Sequence, residues 1–277
     1  MRIGLVMTNY NNAKFTRGAI ESLVRSPHWS QCEVVVVDNR SATEDVAHLE
    51  RLKQEYPRVH LVLNTVNAGY FPGLNVGIRY LREHFPVLDV IVVGNNDLVF
   101  PTDFIDSIRA SVPLLERYWV ISPDIITLDG VHQNPHVIRA VSRPRRLIYD
   151  IYYSSYPLAL AIRWIARVTR QVTRRSDSDF HSVAGPIHMG IGACYILGPL
   201  FFRHFTELWA PTFLMGEEFF LSKQLRDHGQ QIYYEPSIKV QHHDHASVDK
   251  VPSRQMWLVS REAHKVYRQY ENPFFTK

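Results

Sequence analysis

Residues 88–100 read LDVIVVGNNDLVF. The run Val90–Val93 is β-branched and apolar, too short for a helix, and fits a strand buried on both faces. It stops at Gly94, Asn95, Asn96 and Asp97, and apolar residues resume at Leu98. A carboxylate and two amides at the end of a buried strand sit where open α/β sheets bind ligands, beyond the carboxyl ends of their strands.

The segments before this strand support that reading. RIGLVMT (2–8), CEVVVVD (32–38) and VHLVLN (59–64) have strand character. AKFTRGAIESLVRS (13–26), SATEDVAHLERLKQEY (41–56) and GLNVGIRYLREHF (73–85) have helical spacing, with Ser41 and Glu44 placed for a capping box. Repeated β-α-β units predict an α/β fold, a mostly parallel central sheet with helices on both faces. Three strand ends then carry polar groups: TNYNN (8–12), DNRS (38–41) and GNND (94–97). Neighbouring parallel strands bring such ends together in one site.

Beyond residue 100 the alternation loosens. Helices are expected over 104–118, 216–229 and 254–270, and strands over 119–130, 192–198 and 231–236. Residues 131–187 read as irregular and Arg-rich apart from one basic helix at about 157–175. No Gly/Ser/Pro linker separates two patterned halves. One domain over 1–250 is expected, in a regular half (1–100) and a looser half (101–250), with 251–277 as a helical extension.

Composition narrows the functional class. Of the 277 residues, 45% are hydrophobic and 21% charged, ordinary for a globular chain with a substantial core. No run of about 18 apolar residues would span a membrane, and the start, MRIGLVMTNYNN, reads as a first strand rather than a leader. Cys32 and Cys194 are too few for a disulfide framework, so a cytoplasmic setting is expected. The net charge of +4 is unevenly spread, because residues 139–175 hold nine arginines and one acid. Arg163, Arg167, Arg170 and Arg174 fall on one helical face, with Leu158, Ile162, Ile165 and Val172 roughly opposite. Such a helix suits either peripheral contact with an anionic membrane or a solvated basic face on a core helix. No recognition motif accompanies the charge, so nucleic acid is not the expected partner.

Asp38 at the end of the second strand is placed to meet a nucleoside, or to close an Asx turn ahead of the next helix. Thr8 and Asn11 would line the same pocket. A dinucleotide fold also needs G-x-G-x-x-G in the first turn, and TNYNNAKF has no glycine. A Walker loop is absent too. These losses argue against a dehydrogenase and against a nucleotidyltransferase needing a Gly-rich basic loop for a triphosphate. A non-catalytic membrane-binding module would leave the strand-end polar groups unexplained.

Several motifs in order resemble the family-2 glycosyltransferases, inverting enzymes of the glycosyltransferase-A fold that use nucleotide sugars. They are LVMTNYNN, VVVVDNRSATED, NAGYFPGLNVGIR (67–79), GNNDLVF, GACYILG (192–198), MGEEFFLSKQLRDHG (215–229) and YYEPSIKVQHHDHAS (233–247). The resemblance implies donor contacts from Asn67, Gly73 and Asn75, with Asn95 and Asn96 near ribose or metal-bound water. It implies a divalent metal, Mg2+ or Mn2+, held by Asp97 in place of an Asp-x-Asp motif. Val240-Gln241-His242 fits the family's Val-x-His, which makes His242 the second ligand, ahead of His245 and His243. The Glu-Asp pair aligns with Glu217 and Glu218, and the second acid, Glu218, is the expected base. Here Glu replaces the usual Asp, and Phe220 and Gln224 stand where Asp and Arg are usual. The resemblance makes 1–250 a catalytic domain, with 1–100 its nucleotide-binding half and 101–250 its acceptor-side half. The implied function is transfer of a sugar from a UDP- or dTDP-linked donor, a hexose or rhamnose. The acceptor would be a glycan or lipid-linked hydroxyl in surface polysaccharide synthesis, at the inner face of the cytoplasmic membrane.

Overall fold

The computed structural model describes residues 1–168, 177–243 and 253–271. Parallel strands β1 (Ile3–Asn9), β2 (Cys32–Asp38), β3 (Val59–Leu63) and β4 (Val90–Gly94) alternate with helices α1 (Ala13–Val24), α2 (Thr43–Glu55) and α3 (Tyr70–His84). The two-residue strand β5 (Leu98–Val99) follows, then α4 (Phe104–Ala110), α5 (Val112–Leu115) and β6 (Val120–Thr127). Helices α6 (Arg143–Ser154) and α7 (Tyr156–Val168) lead to β7 (Gly185–Ile187), β8 (Cys194–Leu197) and α8 (Pro199–His204). The chain closes with α9 (Glu217–Arg226), β9 (Ile232–His242) and α10 (Arg254–Tyr270). One sheet runs β3-β2-β1-β4-β8-β6-β9-β5, with β7 on β9. It is parallel through β4 and becomes mixed where β8 pairs antiparallel with β4.

Strand β2 shows why the sheet is covered on both faces. Side chains alternate along a strand. Val34 and Val36 join Ile20 and Leu23 of α1 and Leu49 and Leu52 of α2. Val35 and Val37 join Phe71, Leu74, Ile78 and Leu81 of α3. Helix α3 lies close on the sheet because Gly77 has no side chain: a Cβ there would be 2.3 Å from a Val6 methyl.

Register brings the strand ends together. Asn9 pairs with Asp38, Met7 with Gly94, and Gly94 with Cys194. After β4 the chain turns through Asn95–Asp97 into β5, which pairs antiparallel with β9 and sets Leu98 opposite His242. Strand β9 extends past Pro236, where the sequence suggests it should end. The β6–β9 register shifts between Pro123 and Asp124, an irregularity that accommodates a proline within a ladder.

Three local expectations change. The capping box does not form: α2 begins at Thr43, and the Ser41 hydroxyl is taken by Asp38 Oδ1 at 2.5 Å. Residues 131–187 hold an additional helix, α6, which opens with Pro144 in its first turn, and the short strand β7. The basic helix is described over Tyr156–Val168 only; Arg170, Val172 and Arg174 lie outside the described residues. On α7, Leu158 and Ile165 face solvent at 45% and 53% exposed, while Ile162 is half-buried.

Candidate active site

The ends of β4 and β9 place Asp97 beside His242. His242 Nε2 lies 3.2 Å from Asp97 Oδ1 and 3.2 Å from the Asn95 amide nitrogen. On the other side of the ring, Nδ1 is 2.8 Å from the amide oxygen of Gln133. A carbonyl oxygen only accepts, so this bond puts a proton on Nδ1 and, in the neutral ring, leaves the Nε2 lone pair toward Asn95 and Asp97. A lone pair facing a carboxylate is electrostatically unfavourable unless a cation lies between them. The donor set is one carboxylate and one imidazole, which fits a divalent ion that takes its other ligands from phosphate oxygens and water.

Gln133 is held in place by its neighbours. Its backbone N–H donates to Ile125 O at 2.8 Å. Asn134, fully buried, donates to Ser122 Oγ and Pro123 O and accepts from the Ile191 N–H. Sequence reasoning passed over Gln133; the polar cluster HQNPH (132–136) was the available signal. His243 contributes its backbone N–H to Asp97 O at 2.9 Å, and its ring meets the edge of Phe15. His245 lies outside the described residues.

Beneath the strand ends runs a polar network centred on Asn9, which is 1% exposed. Its amide donates to Asp38, Ser41 and Asp45, and its oxygen accepts from Thr16 and Asn96. Asp38 also accepts from the Ser41 N–H, which is the bonding of an Asx-type turn. Asn96 donates to Thr16 Oγ1 at 2.8 Å, so its amide is directed inward. Asn11, at φ 52°, accepts from the Ala42 N–H at the rim.

Thr8 and Gly73 meet at the crevice between β1 and α3, where a Cβ on Gly73 would be 2.7 Å from the Thr8 methyl. Asn67 accepts from the Gly69 N–H and shapes the turn into α3. Gly69 itself has φ 93°, and a Cβ there would be 1.9 Å from Phe213 O. Asn75 is placed elsewhere. It is buried, and its amide exchanges two hydrogen bonds with the Leu208 backbone at 2.8 and 2.9 Å. It borders a cavity of about 830 Å³ that contains none of the strand-end carboxylates. Gln224 pins the same loop by accepting from the Trp209 N–H and donating to Glu207 O.

One loop joins the metal-type pair to the acids of α9. Ala193 O accepts from the Asn95 N–H at 2.9 Å, while the Gly192 N–H donates to Glu218 Oε1 at 3.1 Å. Gly192 O accepts from the Tyr70 hydroxyl at 2.8 Å. Tyr70 is held well above its usual pKa by burial and by surrounding acids, among them Glu217, Asp97 and Glu218, so it stays a neutral donor.

Glu217 and Glu218 differ in environment. Glu217 is 7% exposed and accepts from the Met215 N–H at 2.9 Å. Burial, then the neighbouring Glu218, push its carboxyl well above the usual carboxylate range. Glu218 is half-buried and lines a pocket of about 240 Å³ with Tyr149, Tyr153, Phe219 and Tyr267. Among the described residues, Asp124, His132 and His181 also gather metal-type ligand atoms within 4.8 Å of one another. His132 Nδ1 lies 2.9 Å from both Asp124 oxygens and the two imidazoles stack, but this group shares no residue with the Asp97–His242 pair.

Residues 5–113 match the model of Glycosyl transferase family 2. No curated protein matches the sequence. Among solved structures, the chain is similar to the mannosyltransferase PcManGT from Pyrobaculum calidifontis in complex with GDP-Man and Mn2+. That likeness has a TM-score of 0.55 at 16% identity and covers 96% of this chain and 64% of that one. S. aureus TarS 1-349 gives 0.50 at 14% identity over 85% of this chain and 60% of that one. GalNAc-T7 with UDP, GalNAc and Mn2+ gives 0.56 at 13% identity over 87% and 44%. The chain thus spans 44–64% of the length of these structures, and at these identities the likeness establishes the fold. The family match covers residues 5–113, in the parallel half of the sheet, and the chain as a whole carries the glycosyltransferase-A fold.

Proposed function

We propose that the protein is a metal-dependent, inverting glycosyltransferase that moves a sugar from a UDP- or dTDP-linked donor to an acceptor hydroxyl. The observation that carries this reading is the Asp97–His242 pair, held by Gln133 with an imidazole lone pair toward a carboxylate. PcManGT and GalNAc-T7, whose structures contain Mn2+ with GDP-Man and with UDP, support a divalent ion and a nucleotide sugar. When bound, Mg2+ or Mn2+ neutralises charge on the departing diphosphate.

The chain's own residues divide the remaining work. Thr8, Asn11, Asp38, Asn67 and Gly73 border the strand-end crevice and receive the nucleoside, with Asn95 beside the ribose. Glu218 accepts the acceptor's proton as its oxygen attacks the anomeric carbon from the face opposite the diphosphate. Gly192 orients Glu218, and Tyr70 fixes Gly192. Glu217, kept protonated, holds the turn before α9 and leaves base chemistry to its neighbour. The acceptor is a glycan or lipid-linked hydroxyl in surface polysaccharide synthesis. A cytoplasmic setting belongs to the same proposal, supported by two buried thiols, Cys32 and Cys194.

Thermal shift with UDP, dTDP and GDP, each with and without Mn2+, tests the donor half. The protein should be stabilised by a nucleoside diphosphate and more strongly when Mn2+ is present. No response to any of the three would overturn the reading. Proton NMR of the first-formed product should show an anomeric configuration opposite to the donor's; retention would overturn the inverting assignment.

A further inference from the structure

Helices α6 and α7 follow one another through the extended residue Ser155, and both present apolar side chains to solvent. On α6, Leu147, Ile148 and Ile151 are 55%, 50% and 43% exposed. On α7, Leu158, Trp164 and Ile165 are 45%, 69% and 53% exposed. Meanwhile Ala159 on the inward side is 1% exposed and Arg163 is half-buried. This arrangement inverts that of a core-packed helix, whose large apolar residues face inward. Large apolar side chains left exposed on two consecutive helices mark an interaction surface.

Charge selects among occupants. Arg143, the first residue of α6, and Arg139, four positions before it, are exposed, in a segment (139–175) with nine arginines and a single acid. Two copies meeting through this face would bring like charges together. An anionic bilayer satisfies both features: apolar side chains enter the acyl boundary and arginines meet lipid phosphates. Tryptophan, the most exposed of the six, is enriched at that boundary. Among the described residues no helix is long and apolar enough to cross a membrane, so the mode is surface docking.

The other side of α6 belongs to the active site. Tyr149 and Tyr153 line the same pocket as Glu218. One helix therefore carries the exposed patch on one side and a wall of the acceptor pocket on the other. We propose that the α6–α7 face seats the enzyme on an anionic bilayer, with the Glu218 pocket beside the membrane surface; the acceptor part rests on the role proposed for Glu218.

Sedimentation of the full chain with vesicles of phosphatidylcholine, alone or with 30 mol% phosphatidylglycerol, tests this. Binding should be strong to the anionic vesicles, weak to the neutral ones, and reduced by salt. Ile148→Glu and Trp164→Glu should each weaken partitioning tenfold or more while leaving the thermal response to nucleoside diphosphate and Mn2+ unchanged. Failure of the wild-type chain to bind anionic vesicles would overturn the proposal, as would variants that bind as well as wild type. A wild-type dimer that either variant converts to monomer would also overturn it, assigning the face to a second copy. Vesicle binding without any nucleotide response would count against the transferase reading alone and leave the docking surface standing.

Discussion

The Nδ1 of His242 lies 2.8 Å from the Gln133 amide oxygen, across 109 positions of sequence. That bond fixes the imidazole tautomer and turns Nε2 toward Asp97. Partners that orient a metal-ligating histidine in this way are typically worth 10- to 100-fold in metal affinity. Gln133→Met should therefore weaken Mn2+ binding by roughly 10- to 100-fold, read by isothermal titration with nucleoside diphosphate present. Gln133→Glu keeps an accepting oxygen and should recover much of that loss. Unchanged Mn2+ affinity in Gln133→Met would remove Gln133 from the account.

The two acids of α9 should separate cleanly. Glu218→Gln removes the proposed base and should lower kcat by about 10²- to 10⁴-fold with little change in donor KM. Glu217→Gln resembles the protonated acid already present and should retain most of the activity. Steady-state kinetics on the two variants distinguishes the roles, and the reverse ranking would exchange them.

Glu217 also predicts a pH dependence of stability. Its folded pKa is raised above the ordinary value of 4.5, so the unfolded chain releases this proton first as pH increases. The stability it contributes is complete below pH 4.5 and is lost as pH rises through the raised value. Urea denaturation across the neutral and alkaline range should show this decline in wild type and a flatter profile in Glu217→Gln. Buried His188 acts at the opposite end. Burial, with Arg226 and Arg146 nearby, lowers its pKa from 6.5 to about 4, so its contribution is present above 6.5 and lost as pH falls toward 4. Identical profiles for wild type and Glu217→Gln would mean that the carboxyl titrates normally in the fold.

Gly69→Ala probes the joint between α3 and the loop carrying Phe213. The backbone there is in a region nearly restricted to glycine, which alone costs about 1–3 kcal/mol. The added methyl would also start 1.9 Å from Phe213 O, so that loop must move. A clear drop in Tm is expected together with weaker donor binding. An unchanged Tm would show that the joint yields without cost.

Arg146→Ala tests the buried anchor between α6 and the chain's last described residue. Arg146 pairs with Glu271, both less than 9% exposed, and Arg226 reaches the same carboxylate at 3.4 Å. Removing one partner from a buried pair costs about 3 kcal/mol or more, with Arg226 offsetting part of it. Double replacement, Arg146→Met with Glu271→Leu, should recover stability in urea denaturation. If the single variant is as stable as wild type, the pair does not anchor α6.

How much of this was legible in the sequence follows from the range of the interactions. Strand β2 runs over residues 32–38, as its β-branched run suggests, and α10 spans 254–270 as its periodicity suggests. Gly73 reads as a donor contact in sequence, while in the fold it and Gly77 let α3 lie close on β1. Asn75 and Asn96 resemble ligand contacts in sequence, yet their amides are spent on Leu208 and Thr16, partners 133 and 80 positions away. Gln133 was overlooked for the same reason, since only the folded sheet brings it to His242. Helix α6 was obscured by a proline and by arginines that break the usual apolar stripe; its exposed apolar face explains the irregular pattern.

Asp97 is proposed to hold a divalent ion for transfer from a nucleotide sugar. The most direct measurement is release of nucleoside diphosphate from a panel of UDP-, dTDP- and GDP-sugars by wild type and Asp97→Asn, each with Mn2+ and with EDTA. Wild type with Mn2+ should release diphosphate from at least one donor, and that release should be lost both on chelation and in Asp97→Asn. Full Mn2+-dependent release by Asp97→Asn, or equal release by wild type in EDTA, would contradict it.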